Sequence, residues 1–177
     1  KPGRRKQPPA LTGATVPCSL ARIMTDPVPA LSPMDLAFAE AEKAAARGEV
    51  PVGAVLVDPA TGQVLGSAGN RTEELCDPTA HAELLAIRQA AAALNSPRLP
   101  GLDLYVTLEP CAMCAGAISF ARLRRVYFAA YDPKGGAVDH GPRFFQQPTC
   151  HHAPEIYGGL RESEAAALLR DFFRDRR

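Results

Sequence analysis

No stretch of this chain comes near the roughly 18 consecutive apolar residues that a membrane-spanning helix needs, so no membrane partner is expected. Cysteine is scarce and odd in number: five in 177 residues, two of them drawn together in Cys111-Ala112-Met113-Cys114. That usage excludes a disulfide framework and points to a reducing compartment, the cytoplasm. A broad basic field is also missing, since the formal net charge is only +1. Residues 1–32 hold Lys1, Arg4, Arg5, Lys6 and Arg22 against Asp26, which gives them +4 and leaves −3 on the remainder. A nucleic-acid partner would therefore have to be met by a local patch and by shape. Arg122, Arg124, Arg125, Lys134, Arg143 and the C-terminal Arg170, Arg174, Arg176 and Arg177 are the candidates. Each of them taken alone is more simply a solvated surface charge.

What is present fits one domain: 46% hydrophobic and 22% charged residues are enough to bury a core. The start of the chain differs. Pro2, Pro8, Pro9, Pro17, Pro27 and Pro29 break every periodic pattern, so residues 1–32 read as a disordered, basic, Pro-rich tail and 33–177 as the domain. The lack of acids before Asp26 admits a transit peptide, but so many prolines spoil the amphipathic helix it would need.

From Ser32 the signals sharpen. Ser32 as N-cap, Pro33 behind it and an apolar stripe from Leu36 to Ala45 predict a helix that stops at Gly48. Strands are expected over 52–57 and 63–68 around the turn Asp58-Pro59-Ala60-Thr61-Gly62. A helix over 80–94, a strand over 103–107, a helix over 112–121 and a strand over 125–130 follow. The stretch 132–153 reads as a functional loop or short helix, and 162–174 as a closing amphipathic helix. Alternating strands and helices predict an α/β domain with helices covering a sheet.

Two motifs carry chemistry: His81-Ala82-Glu83, and Pro110 followed by Cys111 and Cys114. One imidazole and two thiolates are three zinc ligands, and three leave the fourth tetrahedral position open, as a hydrolytic site requires. Glu83 is then free to move protons as a non-ligand, the pattern of zinc-dependent nucleobase deaminases. Three-residue spacing places Cys111 and Cys114 on one helix face. Pro110 is expected at the first helical position, and the positive end of that helix favours both thiolates. His81 and Glu83, two apart, share no helix face, so the first turn of their helix must open onto the site. The cleft should lie at strand ends.

Other uses of these residue types weigh against the sharper ones. A lone C-x-x-C serves redox pairs and structural zinc ribbons equally well. Cys150-His151-His152 has no second ligand pair spaced to join it, and Cys18 and Cys76 read as incidental thiols. Glu109, with Pro110 beside it, is expected to support a metal ligand from behind, or else is a strand-end carboxylate. Asn70 is a turn residue or a base-reading amide. Arg174, on the Arg-rich last helix, is placed to meet phosphates.

Glu49-Val50-Pro51-Val52-Gly53-Ala54-Val55-Leu56-Val57, Gly69-Asn70-Arg71, Asp77 to Glu83, Leu104 to Ala117 and Asp171-Phe172-Phe173-Arg174 together resemble the bacterial tRNA-specific adenosine deaminases over about residues 34–177. The resemblance implies a cytidine deaminase-like three-layer α/β/α sandwich around a mixed sheet of about five strands, a homodimer and one Zn2+ per chain. It implies conversion of the wobble adenosine of an arginine tRNA to inosine in the anticodon stem-loop, by a zinc-activated hydroxide. It also implies roles: His81, Cys111 and Cys114 as ligands, Glu83 as proton shuttle, Asn70 as a purine contact, and Ala82 as a backbone contact to the base or metal water. Asp132 and Phe172 fall where the family approaches the anticodon loop. A free guanine or cytosine deaminase would share every ligand. A zinc-stabilised binding module would leave Glu83 without a task.

Overall fold

The computed structural model describes residues 31–174, so the expected tail lies outside the described residues apart from Leu31 and Ser32. Helix α1, Pro33–Ala46, begins with a capping box. Ser32 Oγ accepts from the Asp35 N–H at 3.2 Å, and the Asp35 carboxylate accepts from the Ser32 N–H at 2.9 Å. Gly48, at φ +89°, turns the chain out of that helix, a conformation that costs glycine little. Strands β1 (Gly53–Val57) and β2 (Val64–Gly69) form the expected hairpin. A one-turn helix α2 (Thr72–Leu75) follows, then α3 (Ala82–Ala93), β3 (Asp103–Leu108), α4 (Ala112–Ala121) and β4 (Arg125–Ala130). A 3-10 turn over Phe144–Gln146, strand β5 (Glu155–Tyr157) and helix α5 (Glu162–Arg174) complete the domain.

The sheet order is β2-β1-β3-β4-β5, with β1 antiparallel to both neighbours and β3, β4 and β5 parallel. Two apolar clusters lie on its opposite faces. One packs Ala82, Ala86 and Ala90 of α3 and Ile118 of α4 against Leu56, Leu104, Val106 and Phe128. The other packs Ala37 and Phe38 of α1 and Ala165 of α5 against Val55, Val57 and Ala129. That is the expected α/β/α sandwich, with a mixed five-strand sheet. Phe128 is fully buried, and its truncation to alanine should cost about 3–5 kcal/mol. Close layers require glycine in two places. A Cβ on Gly53 would stand 2.1 Å from the Ala37 carbonyl of α1, and one on Gly66 would stand 2.2 Å from the Ala86 carbonyl of α3.

Three details differ from the sequence reading. Helix α3 starts at Ala82 instead of Ala80, because the Asp77 side chain takes the Thr79 N–H and hydroxyl into a tight turn that holds the chain extended through His81. Pro110 precedes the N-cap of α4, which is Cys111, instead of heading the helix. Helix α2 and strand β5 have four and three residues, too few to show any period.

Candidate active site

His81 and Cys111 occupy equivalent positions, each the N-cap of its helix with extended backbone and no side-chain capping bond. Their side chains are therefore free to turn toward each other. The His81 Nδ1 stands 3.7 Å from Cys111 Sγ and 3.6 Å from Cys114 Sγ, and the three ligand atoms lie within 4.8 Å of one another. A tetrahedral zinc ion with its usual bond lengths sets nitrogen and sulfur about 3.6 Å apart. The donor set and its spacing fit one zinc ion per chain.

The two thiols share their charge unequally. The Cys111 thiol is pulled down to about 4 by a hydrogen bond from Cys114, with His81 assisting and burial opposing. The Cys114 thiol is pushed up by its bond to Cys111 and by burial. One proton is thus shared between the two sulfurs, and a zinc ion held by both thiolates would release it. His81 is held above the ordinary imidazole range by its hydrogen bond to Cys111, against the effect of burial. Burial pushes the Glu83 carboxyl up, against the pull of its own backbone N–H and of His81. Such a carboxyl holds and releases a proton nearer neutrality than an exposed one.

A cleft of about 310 Å³ opens beside these groups, at the small end of the roughly 300–1,000 Å³ typical of ligand pockets. His81, Glu83, Cys111, Asn70, Thr72 and Asp132 line it, with Val50, Val52, Leu108, Glu109 and Gly135. It lies where β3 and β4 end and β1 begins, so the strand-end expectation holds. Asn70 is buried, its N–H donating to the Val52 carbonyl at 2.9 Å and its carbonyl accepting from Arg47 at 3.1 Å. Its amide side chain makes no hydrogen bond among the described residues, which leaves it to the cleft. Ala82 is fully buried at the first position of α3, where a backbone N–H has no partner within the helix.

Glu109 differs from the expected support for a metal ligand. Its carboxylate accepts from the N–H groups of Asp132, Val138, Asp139 and His140 and meets His140 Nδ1 at 2.7 Å. Burial would raise its pKa, but these bonds outweigh burial and hold it low. It is a strand-end carboxylate that anchors a loop. The loop is also sewn to the ligand segment, by the Ala137 N–H on the Pro110 carbonyl at 2.9 Å and by an isolated bridge between Cys111 and Gly136. Asp132 heads it, its side chain accepting from the Lys134 and Gly135 N–H groups.

Phe172 and Arg174 do not line the cleft. Phe172 is buried and packs edge-on against Phe173, and Arg174 pairs with Asp171 at 2.9 Å. Among the described residues only His81, Cys111 and Cys114 group as metal ligands. His152 Nε2 instead meets the Leu123 carbonyl at 2.6 Å, and Cys150 donates to the His152 carbonyl. The sequence reading missed Thr72 as a cleft residue, although Thr72-Glu73-Glu74 has the acidic first turn of a helix start.

The family model of the cytidine and deoxycytidylate deaminase zinc-binding region matches residues 30–130. A tRNA-specific adenosine deaminase of Agrobacterium fabrum is 64% identical over 144 residues, which cover 81% of this chain and 93% of that protein. A solved structure from work on A-to-I editing by tRNA:A34 deaminases at the wobble position of transfer RNA superposes with a TM-score of 0.75 at 64% identity, covering 77% of this chain and 98% of the other. A guanine deaminase from Bacillus subtilis gives a TM-score of 0.53 at 38% identity over 56% of this chain and 62% of its own. With its ligand triad, its buried carboxylate and these matches, the chain belongs to the zinc-binding cytidine and deoxycytidylate deaminase family.

Proposed function

We propose that this chain hydrolyses adenosine to inosine, with release of ammonia, at the wobble position of a tRNA, an arginine tRNA being the substrate of choice. The observation that carries the reading is one cleft lined by His81 and Cys111 of the ligand triad, the buried Glu83 and the unengaged Asn70 amide, in a chain 64% identical to a tRNA-specific adenosine deaminase over 81% of its length. Zinc in this site supplies Lewis acidity, which makes water a nucleophile near neutral pH. Glu83 would take one proton of the attacking water and hand it to N1 as the oxygen attacks C6, then carry the second from the new C6 hydroxyl to the amine, so that the oxygen stays as the carbonyl and ammonia leaves. Asn70 offers its amide to the purine edge, and the Ala82 N–H lies beside the same space. A stacked base cannot enter a cleft this small, so the substrate is a base splayed from a loop, as in an anticodon.

Asp132 sits at the rim, where the chain of the loop passes. Arg174 lies on α5 outside the cleft, so its contact would be with RNA beyond the reacting base, whereas the buried Phe172 shapes that helix from within. The reading also takes in a homodimer working in the cytoplasm, supported by the family resemblance and by cysteines that stay free at Cys76 and Cys150. Ammonia release is to be measured side by side on an arginine tRNA anticodon stem-loop, on the same loop with guanosine at the wobble position, and on free adenine, guanine and cytosine. Turnover of the first alone is expected. Efficient turnover of free guanine or cytosine with the stem-loop untouched would overturn the reading in favour of a nucleobase deaminase.

A further inference from the structure

Glu49 is a carboxylate that none of the chemistry above uses, yet it is only 1% exposed. It follows Gly48 at the end of α1, and its N–H is fixed on the Ala44 carbonyl at 3.0 Å. A buried carboxylate persists only where donors satisfy it. The donors here are the Thr72 hydroxyl at 3.1 Å and the Glu74 N–H at 2.8 Å, both in α2. The residue at the N-cap position of α2, Arg71, provides no side-chain cap of its own. A single helical turn has no stability in isolation, so its placement depends on what holds it. Glu49 takes over the capping task from 23 residues away in sequence. On the outer side Arg71 and Arg47 both reach Glu74, at 2.7 and 3.3 Å, so the turn is held from within by Glu49 and from without by two guanidiniums.

This turn begins two residues after Asn70, and Thr72 lines the cleft itself. Glu49 does not line it and touches no metal ligand. We propose that Glu49 is a positioning residue for the reaction: by fixing α2 from beneath, it fixes the Asn70–Thr72 wall against which the reacting base is aimed. The proposal rests on the deaminase reading above for the role of Asn70. Losing the carboxylate leaves the Thr72 hydroxyl and the Glu74 N–H without the acceptor that fixes them, and a single turn with no buried residue of its own is then free to shift. A misplacement of about 1 Å in a group that orients substrate is enough to cost on the order of 100-fold in rate.

A double-mutant cycle tests it, with wild type, Glu49→Gln, Asn70→Ala and the double variant assayed on the anticodon stem-loop for kcat and KM, beside zinc content and melting temperature. Glutamine keeps the shape and one acceptor but turns an N–H2 toward the other donor. Glu49→Gln should keep its zinc and lose tenfold or more in kcat/KM, whereas in the Asn70→Ala background the same change should cost less than about threefold, because residues that act through one another are not additive. Equal losses in both backgrounds, or wild-type kcat/KM in Glu49→Gln, would overturn the proposal. Should Glu49→Gln fail to fold, Thr72→Val removes the donor instead and is read through the same cycle, coupling with Asn70 supporting the proposal and additivity refuting it. Wild type inactive on the stem-loop but active on a free base would refute the substrate reading alone, and the cycle would then be run on that base.

Discussion

His81 Nδ1 stands 3.7 Å from Cys111 Sγ although thirty positions separate the two residues, because each is the N-cap of a helix and the two helix starts meet at one point. Two positive helix ends therefore face the site from different directions. Both favour the thiolate and the negative charge that develops as water attacks a ring carbon.

Zinc content should follow from this geometry at one ion per chain, by elemental analysis of purified protein. Cys111→Ala removes one of three ligands and should leave only a small fraction of the metal. Full retention of zinc in that variant would assign the ion to other ligands.

Glu83→Gln should separate chemistry from folding. In the proposed role of proton carrier and not ligand, Glu83 can be replaced with zinc kept while turnover falls by about 10²–10⁴-fold or more. The folded pKa of Glu83 lies above the ordinary carboxylate value, so its charge costs folding stability above that folded pKa and nothing below the unfolded one. At pH 7 the glutamine variant should therefore melt no lower than wild type. A large drop in melting temperature, or restored turnover, would contradict the assignment.

Removing the loop anchor should loosen the cleft rim without emptying the metal site. Glu109→Ala strands four backbone N–H groups and the His140 ring, and losing a buried hydrogen-bonded charge of this kind costs about 3–5 kcal/mol. Limited proteolysis should then cut within 132–140, where wild type resists, with zinc content little changed. Unaltered protease resistance would show that the bridge from Cys111 to Gly136 holds the loop by itself.

Acid stability should report on Glu49. Burial raises its pKa, but the N–H groups of Glu74 and Glu73 and the Thr72 hydroxyl outweigh that and hold it below the ordinary carboxylate value. A depressed folded pKa contributes stability that is fully present above the unfolded value, about 4.3, and is lost as pH falls through the folded one. The neighbouring Arg71 stays charged throughout, and Glu74 is itself held low by its bond to Arg71. Glu49→Gln should therefore show a flatter decline of melting temperature below about pH 4 than wild type. An identical acid limb in both proteins would refute the linkage.

The chemistry was legible in the sequence because it depends on residue type and short spacing. His81, Glu83, Cys111 and Cys114 can be named without coordinates, since a three-ligand zinc set beside a spare carboxylate admits few uses. The longer elements were legible for a similar reason: Ser32-Pro33 marks a helix start, and the periods of 103–107 and 125–130 are set by local sterics and a buried face. Relationships between distant segments had no such local mark. Glu109 beside Cys111 reads equally as a ligand's support or a loop's anchor, and only the convergence of the 132–140 backbone on its two oxygens decided between them. Glu49, likewise, becomes a helix cap only because α2 folds back over it. Sequence by itself determined which groups are the candidates for the chemistry; the tertiary structure decided what holds and aims them, because burial and long-range hydrogen bonds exist only once the chain has packed.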